Sequence, residues 1–142
     1  MRIYLMLGCL IATPALAAPA RPAPRWTAVG TGAGGGTIEI DRNSLTWRSV
    51  QRAWWRIGYQ PAKADGTVEE RHLELIDCRA GLSAGIETIA LGVDGQVIDN
   101  ARDGEPLADQ RMSPPTPDTP GETVAMEACR LRPPPPPPVK RR

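Results

Sequence analysis

Few side chains in this 142-residue chain have the type and spacing that support chemistry. His72 is the single histidine, and Cys9, Cys78 and Cys129 are the three cysteines. Zinc sites draw on several Cys, His or carboxylate ligands, which one histidine cannot supply if the cysteines are bridged. A Ser-His-Asp triad exists in composition alone, because no strand–turn–helix context frames any serine. Glu69 and Glu70 stand beside a turn, where solvation accounts for a carboxylate pair. These residues predict no catalytic group, no metal and no cofactor, and the chain reads as a non-enzyme.

Two further patterns fail for a physical reason. Gly30, Gly32 and Gly35 spell G-x-G-x-x-G, but a dinucleotide cradle needs a helix N-terminus next. Thr37-Ile38-Glu39-Ile40-Asp41 alternates as a strand does, so the glycines are expected to form a plain mobile loop. Asp99, Asp103 and Glu105 suggest calcium, but Ala101 interrupts the alternate oxygen ligands that an EF-hand loop requires.

Binding chemistry is better represented. Ala53, Trp55, Ile57 and Tyr59 alternate with Arg52, Trp54, Arg56 and Gly58. A strand that buries Trp55 turns Trp54 to the other face, between Arg52 and Arg56. An exposed tryptophan flanked by arginines suits an interface, which makes Arg52, Trp54 and Arg56 the candidate binding residues. The alternative is that the C-terminal helix covers Trp54.

These residues sit in a hairpin from Arg52 to Cys78. A three-residue loop Ala64-Asp65-Gly66, closed by Gly66 as a bulge, sets Ile57 opposite Leu73, Trp55 opposite Leu75 and Arg56 opposite Glu74. His72 then falls on the polar face. Around the hairpin, a strand is expected from Trp26, another at Thr37–Asp41 and a third at Leu45–Val50. A fourth, Ile86–Leu91, turns through Asp94-Gly95 so that Leu91 faces Ile98. Residues 99–118 read as a long loop. Thr119-Pro120-Gly121-Glu122 is a capping box with proline at the first helical position. In the helix that follows, Val124, Ala128 and Leu131 share a stripe, with Ala125 and Cys129 beside it. The fold class is α+β and mainly β: an antiparallel sheet of about five to seven strands with one C-terminal helix packed on it.

Export follows from the N-terminus. Arg2 precedes an apolar run much shorter than the roughly 20 residues of a membrane span. Ala15-Leu16-Ala17 then offers a signal-peptidase site, so residues 1–17 read as a signal peptide. Leu7-Gly8-Cys9 resembles the end of a lipobox, but the apolar core before Cys9 is too short for one. Cys78 and Cys129 are then the only cysteines of an exported chain, and are expected to pair. Residues 18–25 read as a Pro/Ala linker, 26–131 as the domain, and 132–142 as a Pro-rich, basic, disordered tail.

Charge is segregated along the chain. Residues 18–129 hold 11 basic and 16 acidic side chains, whereas residues 130–142 hold five basic and no acidic ones. A basic tail on an acidic body suits self-association, including a homodimer, or attraction to an anionic surface. No nucleic-acid partner and no transmembrane segment are expected.

In order, Trp26…Gly30, Ile38-Glu39-Ile40-Asp41-x-x-Ser44-Leu45, Val50…Trp54-Trp55, Asp77-Cys78, Gly95-x-Val97 and Thr119-Pro120-Gly121-Glu122…Cys129 resemble the surface-adhesin protein E family of exported Gram-negative bacterial proteins. The likeness spans about residues 26–131. It implies an antiparallel sheet with a helix on it, a disulfide falling on Cys78 and Cys129, and binding of extracellular proteins. The expected function is that of an exported, non-catalytic, adhesin-like module, periplasmic or on the cell surface, recognising a protein or envelope component. The alternative is a structural envelope protein whose Pro-rich basic tail contacts anionic lipid or lipopolysaccharide.

Overall fold

The computed structural model describes residues 22–103 and 111–138. The expected leader, Glu105 and the basic tip Lys140–Arg142 lie outside them. Six strands follow chain order through one antiparallel sheet: β1 (Trp26–Thr31), β2 (Thr37–Asp41), β3 (Val50–Gly58), β4 (Glu69–Asp77), β5 (Leu82–Leu91) and β6 (Val97–Arg102). One helix, α1 (Pro120–Leu131), packs over the β1–β3 half. Short turns join successive strands, so every pair is antiparallel.

The core lies between the helix and one face of the sheet. Ile38, Ile40, Ala53, Trp55, Ile57 and Ile76 meet Val124, Ala125 and Ala128 there, with Leu45 at its margin. Val124 and Ala128 are fully buried. Their small size lets the helix sit close to the strands, and each large side chain buried beneath it contributes about 1.5–3 kcal/mol. Thr119 caps the helix by accepting from Glu122 N at 3.3 Å. Glu122 returns the contact to Asp118 N (2.8 Å) instead of the Thr119 amide that a capping box would use. After Leu131 the chain turns extended at Arg132 and meets Pro133, which cannot continue a helix. Cys129 then reaches β4: the Cys78–Cys129 disulfide joins cysteines whose Cα atoms are 5.5 Å apart.

The hairpin register differs from the expected one, for a reason that can be traced. The expected turn is present: Gly66 N donates to Lys63 O and Lys63 N to Thr67 O, with Gly66 at φ +88°. The strands, however, close at Tyr59 N→Val68 O. Gln60, Pro61 and Ala62 therefore bulge out on one side only, and Pro61 has no amide to offer a ladder. Three extra residues are an odd shift, so β4 presents its opposite face. Ile57 faces Glu70, Trp55 faces His72, and Arg56 faces Arg71. Leu73 and Leu75 go to the sheet's outer face, while Glu70, His72, Glu74 and Ile76 turn inward. The placing of His72 on the polar face is corrected accordingly.

Two smaller expectations are also corrected. Leu45–Ser49 is not a strand but an irregular segment after a 3-10 turn at Arg42–Ser44. Its backbone groups find local partners: Thr46 N bonds the Gln51 side chain, and Ser49 O accepts from Cys78 N. In the β5–β6 hairpin, Gly92 N→Gln96 O closes a three-residue loop, Val93-Asp94-Gly95, and Leu91 pairs with Val97 instead of Ile98. β6 extends to Arg102, shortening the expected 99–118 loop. The glycine run closes a tight turn between β1 and β2, with Gly32 N donating to Gly36 O at 2.7 Å. A Cβ on Gly36 would collide with the Gly58 carbonyl, so close approach demands glycine there. A strand follows it, as the alternation predicts.

Candidate functional site

Besides a polar cleft lined by Glu74, Ser83, Asp103 and Arg111, two gatherings of chemistry-bearing side chains matter most among the described residues. The first is a polar seam on the inner face of β4. The His72 ring stacks on Trp55, with centroids 4.0 Å apart and planes 14° from parallel. Its Nδ1 lies 3.1 Å from Thr88 Oγ1, and its Nε2 lies 3.7 Å from Glu70 Oε2. Glu70 accepts from Tyr59 Oη at 2.7 Å and from Lys63 Nζ at 2.6 Å. Farther along, Glu74 accepts from Trp55 Nε1 at 3.0 Å.

The electrostatics of the seam follow from burial and these bonds. Burial holds His72 below its ordinary pKa, against the pull of Glu70, so the ring is neutral at pH 7. Burial pushes Glu74 up, opposed by its bonds from Ser83 and Trp55. Burial would raise Glu70 too, but the hydrogen bonds from Lys63 and Tyr59 outweigh it and hold this carboxyl low. Burial and the Glu70 carboxylate raise Tyr59. Glu70 is held by Tyr59 and Lys63. Neither His72 nor Glu70 lines the clefts described, whereas Glu74 lines one with Ser83 and Arg111. The seam reads as a polar clasp that holds the 59–68 loop to the sheet.

The second place is the end of the sheet where the disulfide sits. Ser44 Oγ donates to Asp41 O and accepts from Trp54 N, fixing the start of the 45–49 segment. Leu45 is buried in the core. Gln51, only 1% exposed, accepts from Thr46 N through its carbonyl and donates to Cys78 Sγ (3.3 Å) and Ala128 O (3.4 Å). One amide side chain thus ties the loop, the disulfide and the helix together. The anchoring leaves Trp47 and Val50 outside, 49% and 43% exposed. They line two adjoining shallow clefts, of about 630 and 550 Å³, together with Arg48 and Arg52. Leu75 walls one cleft and Pro133 the other.

The three sequence-derived binding candidates separate. Arg52 belongs to this platform. Trp54 is half-buried on the outer sheet face opposite Leu73, while the helix covers the Trp55 face, so α1 does not cover Trp54. Arg56 pairs with Glu39 (2.6 Å) and Glu69 (3.2 Å) and lies 4.6 Å from the Trp26 ring centroid. Glu69 also holds Arg71, which relieves the like charges facing each other across β3 and β4. The charge of Arg56 is therefore matched within the sheet, at the edge of a cleft it lines with Tyr59 and Glu69. Trp47 is not among those candidates, because the alternation of Leu45–Val50 reads as a strand, whereas the structure puts Trp47 in an irregular segment.

The chain matches no family model, no curated protein and no solved structure. Among the described residues, no helix is long and apolar enough to cross a membrane.

Proposed function

We propose that this chain is an exported, non-catalytic binding module, and that its working surface is the Trp47–Val50–Arg52 platform at the disulfide end. The observation that carries the reading is an exposed tryptophan on an anchored loop, next to an exposed valine at the start of β3, both flanked by arginines. A side chain of this size left in water costs solvation free energy that a partner can recover. Rigid anchoring lowers the ordering cost of that encounter. The disulfide supports residence in an oxidising compartment; on this reading that compartment is the periplasm or cell surface of a Gram-negative bacterium. The resemblance to the surface-adhesin protein E family points the same way, to recognition of a protein or envelope component.

The test is site-specific photo-crosslinking in the cell that makes the protein. A photoreactive residue at position 47 is expected to capture an envelope component. The same residue at position 93, an exposed valine at the far end of the sheet, is expected to capture none. Equal labelling from both positions, or none from position 47, would overturn the assignment.

A further inference from the structure

We infer that the platform's partner is an anionic lipid surface, with Trp47 entering the headgroup region and Arg48, Arg52 and Arg132 meeting lipid phosphates; this rests on the platform being the working surface. The first support is the distribution of compensated charge. Arg56, Lys63, Arg71 and Arg130 each have a carboxylate within ion-pair distance. Arg48, Arg52 and Arg132 are exposed and have none among the described residues, a state they share with Arg25, Arg42 and Arg79 at the same end of the sheet and with Arg102 and Arg111 elsewhere. The nearby acids are engaged by backbone amides. Asp77 accepts from the amides of Arg79 and Ala80, and Asp41 is buried, accepting from the amides of Arg25 and Asn43. A net-acidic body therefore carries a locally uncompensated cationic end.

The second support is where the chain goes next. The disulfide fixes Cys129 beside Ser49, through the Cys78 N→Ser49 O bond, and four residues later Pro133 lines a cleft with Trp47 and Arg52. The proline run starts at the platform itself. A peptide partner would be expected to meet a deep apolar pocket, whereas these clefts are shallow and rimmed by cations. Tryptophan at the headgroup level and arginines reaching phosphates fit a flat anionic interface.

The test is co-sedimentation of the full oxidised chain with phosphatidylcholine vesicles, with and without phosphatidylglycerol. Binding is expected only with phosphatidylglycerol, and is expected to fall with salt. At roughly 1 kcal/mol per cation near an anionic surface, Arg48→Ala/Arg52→Ala should lower partitioning about 30-fold, and truncation after Pro138 by more. Trp47→Ala should lower it several-fold, whereas Lys63→Gln, at a paired cation of the opposite end, should leave it within about two-fold. No binding to phosphatidylglycerol vesicles overturns the inference. So does binding that Arg48→Ala/Arg52→Ala and Trp47→Ala leave unchanged, since the tail would then act alone. A position-47 crosslink to a protein, with no vesicle binding, sinks the lipid partner and leaves the binding-module reading standing. Loss of both results sinks both.

Discussion

Replacing both cysteines, Cys78→Ser with Cys129→Ser, isolates what the disulfide does. The bridge closes a span of 51 residues. In the chain-entropy treatment, a loop of that size restricts the unfolded chain by an amount worth about 4 kcal/mol, and measured values usually fall somewhat below. Local packing adds to this, because Gln51 Nε2 loses Cys78 Sγ as it stands and keeps Ala128 O only while the helix stays in place. About 3 kcal/mol is therefore expected. With a urea m-value of about 1.5 kcal/mol/M, that moves the midpoint down by about 2 M. The assay is equilibrium urea unfolding followed by tryptophan fluorescence, comparing the oxidised protein with the double-serine variant. The m-value should rise slightly, since an uncrosslinked unfolded chain exposes more surface. A midpoint shift worth less than about 1 kcal/mol would refute the reasoning, because helix–sheet packing would then hold α1 unaided.

Three other outcomes follow from the same contacts. Gln51→Leu keeps the volume but strands Thr46 N and removes the donor to Ala128 O; urea unfolding should show a loss of about 1–3 kcal/mol, and hydrogen exchange of residues 45–49 should quicken. Glu74 is held above its ordinary pKa, so its protonated form favours folding, and that contribution fades as pH rises through the folded value. Glu74→Gln, still able to accept from Trp55 Nε1, should gain stability over wild type as pH rises from the ordinary carboxylate range to neutrality; a pH-independent difference would contradict this. Thr119→Ala should cost about 1 kcal/mol in thermal or urea melts by removing the helix cap.

Much of the fold was legible because local signals agreed. Val50–Gly58 alternates cleanly, and Ala53, Trp55 and Ile57 are core. The Thr119 cap and the Val124–Ala128 stripe foretold α1 and the face it buries. The β4 face was not legible. The Asp65-Gly66 turn is real, but the three residues Gln60–Ala62 beside it carry no partner in the opposing strand, and pattern alone cannot count a one-sided bulge. Alternation in β4 also misled, since Leu73 and Leu75 look like core. Glu70, His72 and Glu74 can face inward only because Tyr59, Lys63, Thr88, Ser83 and Trp55 satisfy them. Of the candidate site, Arg52 was legible. Trp47 was not, because its exposure depends on Gln51 and Cys78 holding the loop off the ladder.

The central claim is that the disulfide end is the functional surface and the rest of the sheet its support. The most direct measurement is binding of the purified protein to envelope membranes from the cell that makes it, for wild type, Trp47→Ala/Arg52→Ala, and Val93→Ser/Met126→Ala, the last removing exposed apolar side chains elsewhere. All three should unfold at closely similar urea concentrations, since the changes are on the surface. The account predicts that membrane binding falls at least tenfold in Trp47→Ala/Arg52→Ala and stays at the wild-type level in Val93→Ser/Met126→Ala. Equal binding by all three would contradict it.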